Sequence, residues 1–228
     1  MEVTVIAAPA ALRVSECFLS LQGEGPSAGT PAHFVRLQGC DVGCHWCDTK
    51  YAWAPDEGTA AGVDETLARA RALGEAPLLV VTGGEPLQHP RLAELLERSL
   101  ERWPRVEVET SGIGPPPLSH ERLHYNVSPK LPSATPRWTA TWAHTRDWIA
   151  EPNAVFKIVV GDPPDPDEAL RLIAEHALPP RRVMLMPEGM TDAALRARAA
   201  TLAETCARHG FRLSPRLHIW MWGARRGV

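Results

Sequence analysis

Apolar positions along this chain alternate between short unbroken runs and stripes spaced three or four residues apart. Leu78-Leu-Val-Val-Thr, Ala154-Val-Phe-Lys-Ile-Val-Val and Arg182-Val-Met-Leu-Met are nearly continuous, the pattern of strands covered on both faces of a parallel sheet. Residues 14–21 and 32–38 read as strands flanking the turn Gln22-Gly-Glu-Gly-Pro-Ser-Ala-Gly, and Arg105-Val-Glu-Val-Glu and Leu123-His-Tyr-Asn-Val read as two more. Helical spacing fills the gaps. Asp64 caps a helix running to Leu73, with Leu67, Ala70 and Leu73 on one face, and Pro90–Trp103 carries a stripe of Leu92, Leu95, Leu96 and Leu100. Residues 167–177 and Asp192–His209 read as further helices. The Pro-, Thr- and Trp-rich stretch 132–152 is expected to be irregular, and Phe211–Trp222 to form a last strand and turn. Alternating strands and helices predict a parallel sheet with right-handed crossovers. With 228 residues the chain is short for eight such units. The expected fold class is therefore α/β, a partial, open β/α barrel with a mostly parallel sheet, in a single domain over 1–228.

Composition narrows the setting. A hydrophobic content of 44% supports a sizeable core. The formal net charge of −3 leaves no basic footprint for direct nucleic-acid binding, and no apolar run reaches the length of a membrane span. The N-terminus lacks a basic stretch and is not read as a signal peptide, so the expected location is cytoplasmic. Five cysteines, three of them clustered, fit a reduced compartment and a metal site better than a disulfide framework. Lysine is rare: only Lys50, Lys130 and Lys157 stand against 21 arginines. Where arginine serves as the generic cation, a retained lysine can mark a place that needs a compact ammonium.

The clustered cysteines are Cys40, Cys44 and Cys47, in the run Gly39-Cys-Asp-Val-Gly-Cys-His-Trp-Cys-Asp-Thr, a C-x3-C-x2-C spacing. Three thiolates from one loop can hold three irons of a [4Fe–4S] cluster and leave the fourth open for chemistry. The alternative is a structural zinc site, which needs a fourth ligand. His45 sits awkwardly between two of the cysteines, and Cys17 and Cys206 would serve only if the fold brought them close. The spacing favours the cluster.

Three other runs fall where strands end, the usual place for ligand sites in parallel α/β folds. Thr82-Gly-Gly-Glu-Pro combines glycines that permit close backbone approach with a carboxylate that can accept from an ammonium. Glu109-Thr-Ser-Gly places a carboxylate at the next strand end, and Ser128-Pro-Lys follows the one after. A plain turn or helix cap would explain each of these runs alone.

Together with Leu21-Gln-Gly-Glu-Gly, Phe34-Val-Arg-Leu-Gln-Gly-Cys, Phe156-Lys-Ile-Val-Val and the closing Leu217-His-Ile-Trp-Met-Trp-Gly-Ala-Arg-Arg-Gly-Val, these runs cover nearly the whole chain. In this order they resemble the 7-carboxy-7-deazaguanine synthases, a family of radical S-adenosylmethionine (SAM) enzymes. The cysteine and GGEP runs carry the superfamily resemblance, and the LQGEG, CDT and C-terminal segments carry the family. The resemblance implies a lyase that contracts the ring of 6-carboxy-5,6,7,8-tetrahydropterin to 7-carboxy-7-deazaguanine and releases ammonia, on the route to queuosine. It implies that the cluster on Cys40, Cys44 and Cys47 cleaves SAM to a 5′-deoxyadenosyl radical that takes hydrogen from C6 of the pterin and later returns it.

By residue, the resemblance places Leu21, Gln22, Gly23, Arg36 and Thr82 at the substrate, with Arg36 on its carboxylate. It places Trp46, Cys47, Asp48, Gly84, Ser128, Pro129 and Lys130 at SAM, and Thr49 at Mg²⁺. It aligns Met186-Pro-Glu-Gly with a SAM-contacting loop and brings His218 and Val228 towards the substrate. An electron donor such as flavodoxin or ferredoxin and a homodimer are expected on the same ground. Another small radical SAM enzyme, such as a glycyl-radical activase, would share the cysteine and GGEP runs but act on a protein. A metal-binding module without catalysis is the remaining alternative.

Overall fold

The computed structural model describes residues 11–228; the reading against a signal peptide concerns the first ten residues and lies outside the described ones. Among the described residues nine strands form one sheet. They are β1 (Leu12–Leu21), β2 (Pro31–Leu37), β3 (Thr59–Ala61), β4 (Leu78–Gly83), β5 (Arg105–Thr110), β6 (Leu123–Val127), β7 (Ala154–Val160), β8 (Val183–Pro187) and β9 (Arg212–Leu213). Their spatial order is β3-β1-β2-β4-β5-β6-β7-β8-β9. From β2 to β9 every neighbouring pair is parallel, while β1 pairs antiparallel with β2 and β3. The sheet does not close on itself, so the α/β expectation of a mostly parallel, open barrel holds.

Helices α1 (Val63–Arg71), α2 (Leu92–Leu100), α5 (Asp165–Glu175) and α6 (Asp192–His209) occupy the crossovers. Leu92, Leu95, Leu96 and Leu100 of α2 are all buried, as the leucine stripe predicts. The side chain of Thr191 caps the start of α6, and Gly210 ends it in the left-handed region (φ 71°). The main core lies between the helices and the outer face of the sheet, built from Leu37, Leu79, Val81, Val106, Val108, Ile158 and Val160 among others. A smaller cluster of Ala32, Phe34, Leu78 and Val80, with Phe18 against it, sits apart from that core. The two-residue period of a strand thus separates apolar side chains facing the helices from a more polar set facing the barrel interior. In β5 the buried Val106 and Val108 join the core, while Glu107 and Glu109 alternate with them.

Four expectations fail. Asp64 does not cap α1: Gly62 stands at the N-cap, Asp64 lies in the first turn paired with Arg98 and Arg102, and Leu73, past the helix end, is exposed. The stretch 132–152 is not irregular but folds as α3 (Trp138–Trp142) and α4 (Thr145–Ala150). Helices this short lack side-chain caps here and rely on tertiary contacts. Trp142 Nε1 donates to Lys130 O (2.8 Å), and Trp148 Nε1 to Gly114 O (2.9 Å). The end of the chain has only the two-residue β9 and then a helix, α7 (Leu217–Trp222), instead of a longer strand and turn. It docks through Leu217 N on Gly23 O (2.9 Å), a contact from the other end of the sequence. β3, pairing with the start of β1, had no signal in the apolar pattern.

Candidate active site

The carboxyl ends of β2, β4, β5, β6, β7 and β8 surround one cavity of about 310 Å³. Cys40, Cys44 and Cys47 line it, together with Leu21, Gln22, Gly23, Arg36, Trp46, Asp48, Thr49, Thr82, Gly84, Ser128 and Lys130. Met186, Glu188, His218 and Val228 line it as well, while Pro187 and Gly189 of the Met186-Pro-Glu-Gly run do not. Pro129 is buried but does not reach the cavity, because it serves as the spacer between two residues that do.

The cysteine loop is held by its surroundings rather than by regular structure. Gly39 N donates to Ala52 O (2.8 Å) and Cys40 N to Trp53 O (3.0 Å). The Gln38 amide, at the end of β2, donates to Tyr51 O (3.0 Å) and Ala54 O (2.9 Å) and so closes the loop from below. Gly84 N donates to Leu37 O (3.0 Å) and Glu85 N to Gly39 O (2.8 Å), which fastens the Thr82-Gly-Gly-Glu turn against the same loop. A Cβ at Gly84 would collide with Gly39 O and lie 2.6 Å from Ala52 O, so the position accepts only glycine.

The donor set fits an iron–sulfur cluster. Burial pushes the Cys40 thiol up to about 11 and raises Cys44 as well, so both ionise readily only beside bound cationic metal. Among the described residues no three His, Cys, Asp or Glu side chains gather around a single-ion centre. A cluster does not require that, because each thiolate binds its own iron. His45, the fourth zinc ligand under the alternative, turns its Nδ1 to Ala134 O (3.1 Å) and does not line the cavity; Cys17 and Cys206 do not line it either.

The Ser128-Pro-Lys run folds back on this loop. Lys130 Nζ donates to Ser128 Oγ (3.1 Å) and lies 5.3 Å from the centre of the Trp46 ring. Its backbone is fixed by α3, through Thr141 Oγ1 on Lys130 N (2.9 Å) and Trp142 on Lys130 O. Glu85, the acid of the GGEP run, is largely engaged by protein. Its carboxylate accepts from Leu87 N (3.0 Å), Ser111 N (2.7 Å) and Thr110 Oγ1 (2.6 Å), so it ties the β4 turn to the β5 turn.

The cavity also holds a buried charge network that the sequence did not announce as a unit. Lys157 Nζ, on β7, bridges Glu24 Oε2 and Glu109 Oε2 at 2.6 Å each. Arg216 Nε donates to Glu24 Oε1 (3.1 Å), its Nη1 to Gly189 O (2.6 Å), and its Nη2 pairs with Asp48. The Gln22 and Asn126 amides donate to Glu109 Oε1 at 3.1 and 3.0 Å and also to Glu107. Burial raises the carboxyl of Glu24, but Lys157 and Arg216 outweigh it and hold the group well below the carboxylate range. Burial dominates at Glu109 and pushes it up. His218, 3.9 Å from Glu24, is lowered by burial. A Cβ at Gly23 would collide with the His218 ring, so α7 can close over the LQGEG turn only because that residue is glycine.

Comparison with known proteins decides the family. The radical SAM superfamily model matches residues 34–124. The chain is 42% identical to the 7-carboxy-7-deazaguanine synthase of Pyrobaculum aerophilum, over 95% of this chain and 97% of that one. The chain belongs to the 7-carboxy-7-deazaguanine synthase family. The Halobacterium salinarum 7-carboxy-7-deazaguanine synthase is 37% identical over 93% of this chain and 91% of its own length. The crystal structure of QueE from Escherichia coli superposes with a TM-score of 0.63 and 29% identity, covering 90% of this chain and 93% of that one. As a radical SAM member of this family the chain is a lyase that uses a [4Fe–4S] cluster and SAM. Among the described residues no helix is long and apolar enough to cross a membrane.

Proposed function

We propose that the chain converts 6-carboxy-5,6,7,8-tetrahydropterin to 7-carboxy-7-deazaguanine with release of ammonia, in queuosine and deazapurine biosynthesis. The observation that carries this reading is a single cavity joining the cysteine triplet to Arg36 and the Glu24–Lys157–Glu109 network. Cys40, Cys44 and Cys47 would hold the cluster, which with SAM would supply radical hydrogen-abstraction chemistry at this end of the cavity.

The chain's own residues bind and orient. Arg36 takes the substrate carboxylate through its guanidinium fork. Leu21, Gln22 and Gly23 meet the pterin, largely through backbone, and Thr82 meets it from the end of β4. Trp46, Cys47, Asp48, Gly84, Ser128 and Lys130 frame SAM, with Pro129 setting the spacing of its two neighbours. Thr49, whose Oγ1 is 3.5 Å from Cys47 Sγ, would offer an oxygen to Mg²⁺. The buried carboxylates and amides of the network suit the donors and acceptors of a pterin edge. Glu109, raised by burial and bonded to Lys157, is placed to hold or release a proton during rearrangement.

The same reading makes residues 1–228 one domain, acting in the cytoplasm as a homodimer, reduced by flavodoxin or ferredoxin and making no direct contact with nucleic acid. The glycyl-radical activase alternative is not favoured by the relatives, which carry the synthase name along nearly the whole chain.

Anaerobic incubation of the iron- and sulfide-reconstituted protein with carboxytetrahydropterin, SAM and reductant tests the proposal. Formation of the deazaguanine acid supports it. SAM cleavage without that product overturns it, and zinc binding without cluster absorption would favour a non-catalytic module.

A further inference from the structure

Glu16 does not line the cavity, yet three residues that do are bonded to it. It lies on β1 directly across from Arg36 on β2, next to an irregularity in the register between Val14 and Glu16. Its carboxylate accepts from Arg36 Nε (2.8 Å), Tyr51 OH (2.8 Å) and Arg226 Nε (2.8 Å). Those donors come from three separate walls: a barrel strand, the segment leaving the cysteine loop, and the C-terminal tail. Burial raises the Glu16 carboxyl, but Arg226, Arg36 and Tyr51 together hold it below the usual range, so it stays ionised.

The arrangement leaves Arg36 poised. Only its Nε is bonded; its two terminal nitrogens have no hydrogen-bond partner among the described residues. The guanidinium carbon lies 5.8 Å from the Phe18 ring centre and 5.9 Å from that of Tyr51, which limits its swing. At the rim, Arg226 stacks at 4.0 Å on the Tyr51 ring. Past α7, residues 223–228 run without helix or strand, and Ala224 through Val228 all line the cavity. Arg226 therefore fastens a tail that regular structure does not hold.

We propose that Glu16 is a positioning residue with two jobs: it aims the terminal nitrogens of Arg36 at the substrate carboxylate, and it clasps the C-terminal tail over the cavity mouth through Arg226. The first job rests on the function proposed above; the second rests on the fold alone. A carboxylate bonded to Nε fixes the plane of a guanidinium and leaves its outer edge for a second carboxylate. Without Glu16, Arg36 would have to be ordered by the substrate itself, which weakens binding more than turnover.

The test uses the full-length protein with Glu16→Gln and Arg226→Met. Glu16→Gln is expected to raise KM for carboxytetrahydropterin about 10- to 100-fold, the range of a lost charge-assisted contact, with kcat changed less than about 3-fold and SAM affinity unaltered. Arg226→Met, on a half-exposed side chain, is expected to raise KM only about 2- to 5-fold, as for a rim contact. Trimming of the tail by carboxypeptidase, followed by intact mass, is expected to be faster in both variants than in the parent. Equal trimming in all three proteins would overturn the clasp whether or not the pterin is the substrate. A parental KM in Glu16→Gln, in protein whose parent makes product, would overturn the aiming role. Absence of product from the parent would count against the proposed function instead. Should Glu16→Gln fail to fold, Arg226→Met still decides the clasp, and Glu16→Asp, which keeps the charge but withdraws it from Arg36 Nε, decides the aiming by the same KM-against-kcat split.

Discussion

The two sides of the cavity are built differently. On the cysteine side, the walls are turns of neighbouring strands, tied by backbone hydrogen bonds such as Gly84 N to Leu37 O and Glu85 N to Gly39 O. Its ionisable groups, Cys40 and Cys44, are raised by burial and stay neutral without metal. On the Lys157 side, side chains from β5, β7, the LQGEG turn and the residue before α7 converge as a charged network, tied to the cysteine loop through the Arg216–Asp48 pair. A cofactor common to many enzymes can be received by backbone geometry, which a short contiguous run encodes. A polar heterocycle needs donors and acceptors at fixed points in space, and the fold assembles these from distant positions.

The difference predicts different failures. Cys44→Ala should abolish turnover and cluster absorption while changing apo stability by no more than about 1–2 kcal/mol, a small buried truncation; iron content and chemical unfolding measure the two. Lys157→Met should act the other way. It leaves Glu24 and Glu109 buried without their shared cation, and about 3–5 kcal/mol of stability should be lost, read as a lowered denaturant midpoint. An unchanged midpoint would mean that the network is not the rigid, charged wall described here.

Gly84→Ala lies between these extremes. Its Cβ cannot fit against Gly39 and Ala52 without moving the cysteine loop, at about 1–3 kcal/mol. Lower cluster occupancy with an intact substrate side, seen as retained pterin binding, would sharpen the comparison.

The smallest effect is in pH dependence, and it separates the two sides. Glu24 and Glu16 are held below their ordinary value of 4.5, so their stability is present above pH 4.5 and is lost as pH falls through their folded values. Glu109, raised by burial, works against this acid limb without reversing the large shift at Glu24. Cys40 and Cys44 are raised from 9.0, so their contribution to apo stability is complete below pH 9.0 and is lost as pH rises through their folded values, about 11 for Cys40. Cys17 and Cys206 contribute to the same limb, so the quantity to compare is the apo against the cluster-loaded protein. Loading should flatten the alkaline limb, where the ligand thiolates are already ionised, and leave the acid limb in place.

This contrast also explains what the sequence could reveal. Strands β4, β7 and β8 were legible as continuous apolar runs, and the cysteine, GGEP and SPK motifs were legible because each is local and sits at a strand end. The network was not legible as a whole, because residues 24, 109, 157 and 216 meet only when the sheet curls. The rarity of lysine was a usable signal: Lys130 and Lys157 both line the cavity, whereas Lys50 packs 5.6 Å from the Trp53 ring beside it. Arg216 carried no such mark among 21 arginines. Helices α3 and α4 escaped because no cap announces them and the Trp142 and Trp148 side chains hold them from outside.

The most direct test of the two-sided cavity is an anaerobic crystal structure with both SAM and carboxytetrahydropterin bound. The account predicts SAM against the cysteine loop, Gly84 and Ser128–Lys130, and the pterin against Gln22, Glu24 and Glu109 with its carboxylate on the outer edge of Arg36. A pterin lying away from Arg36, with the Lys157 network facing SAM instead, would contradict it.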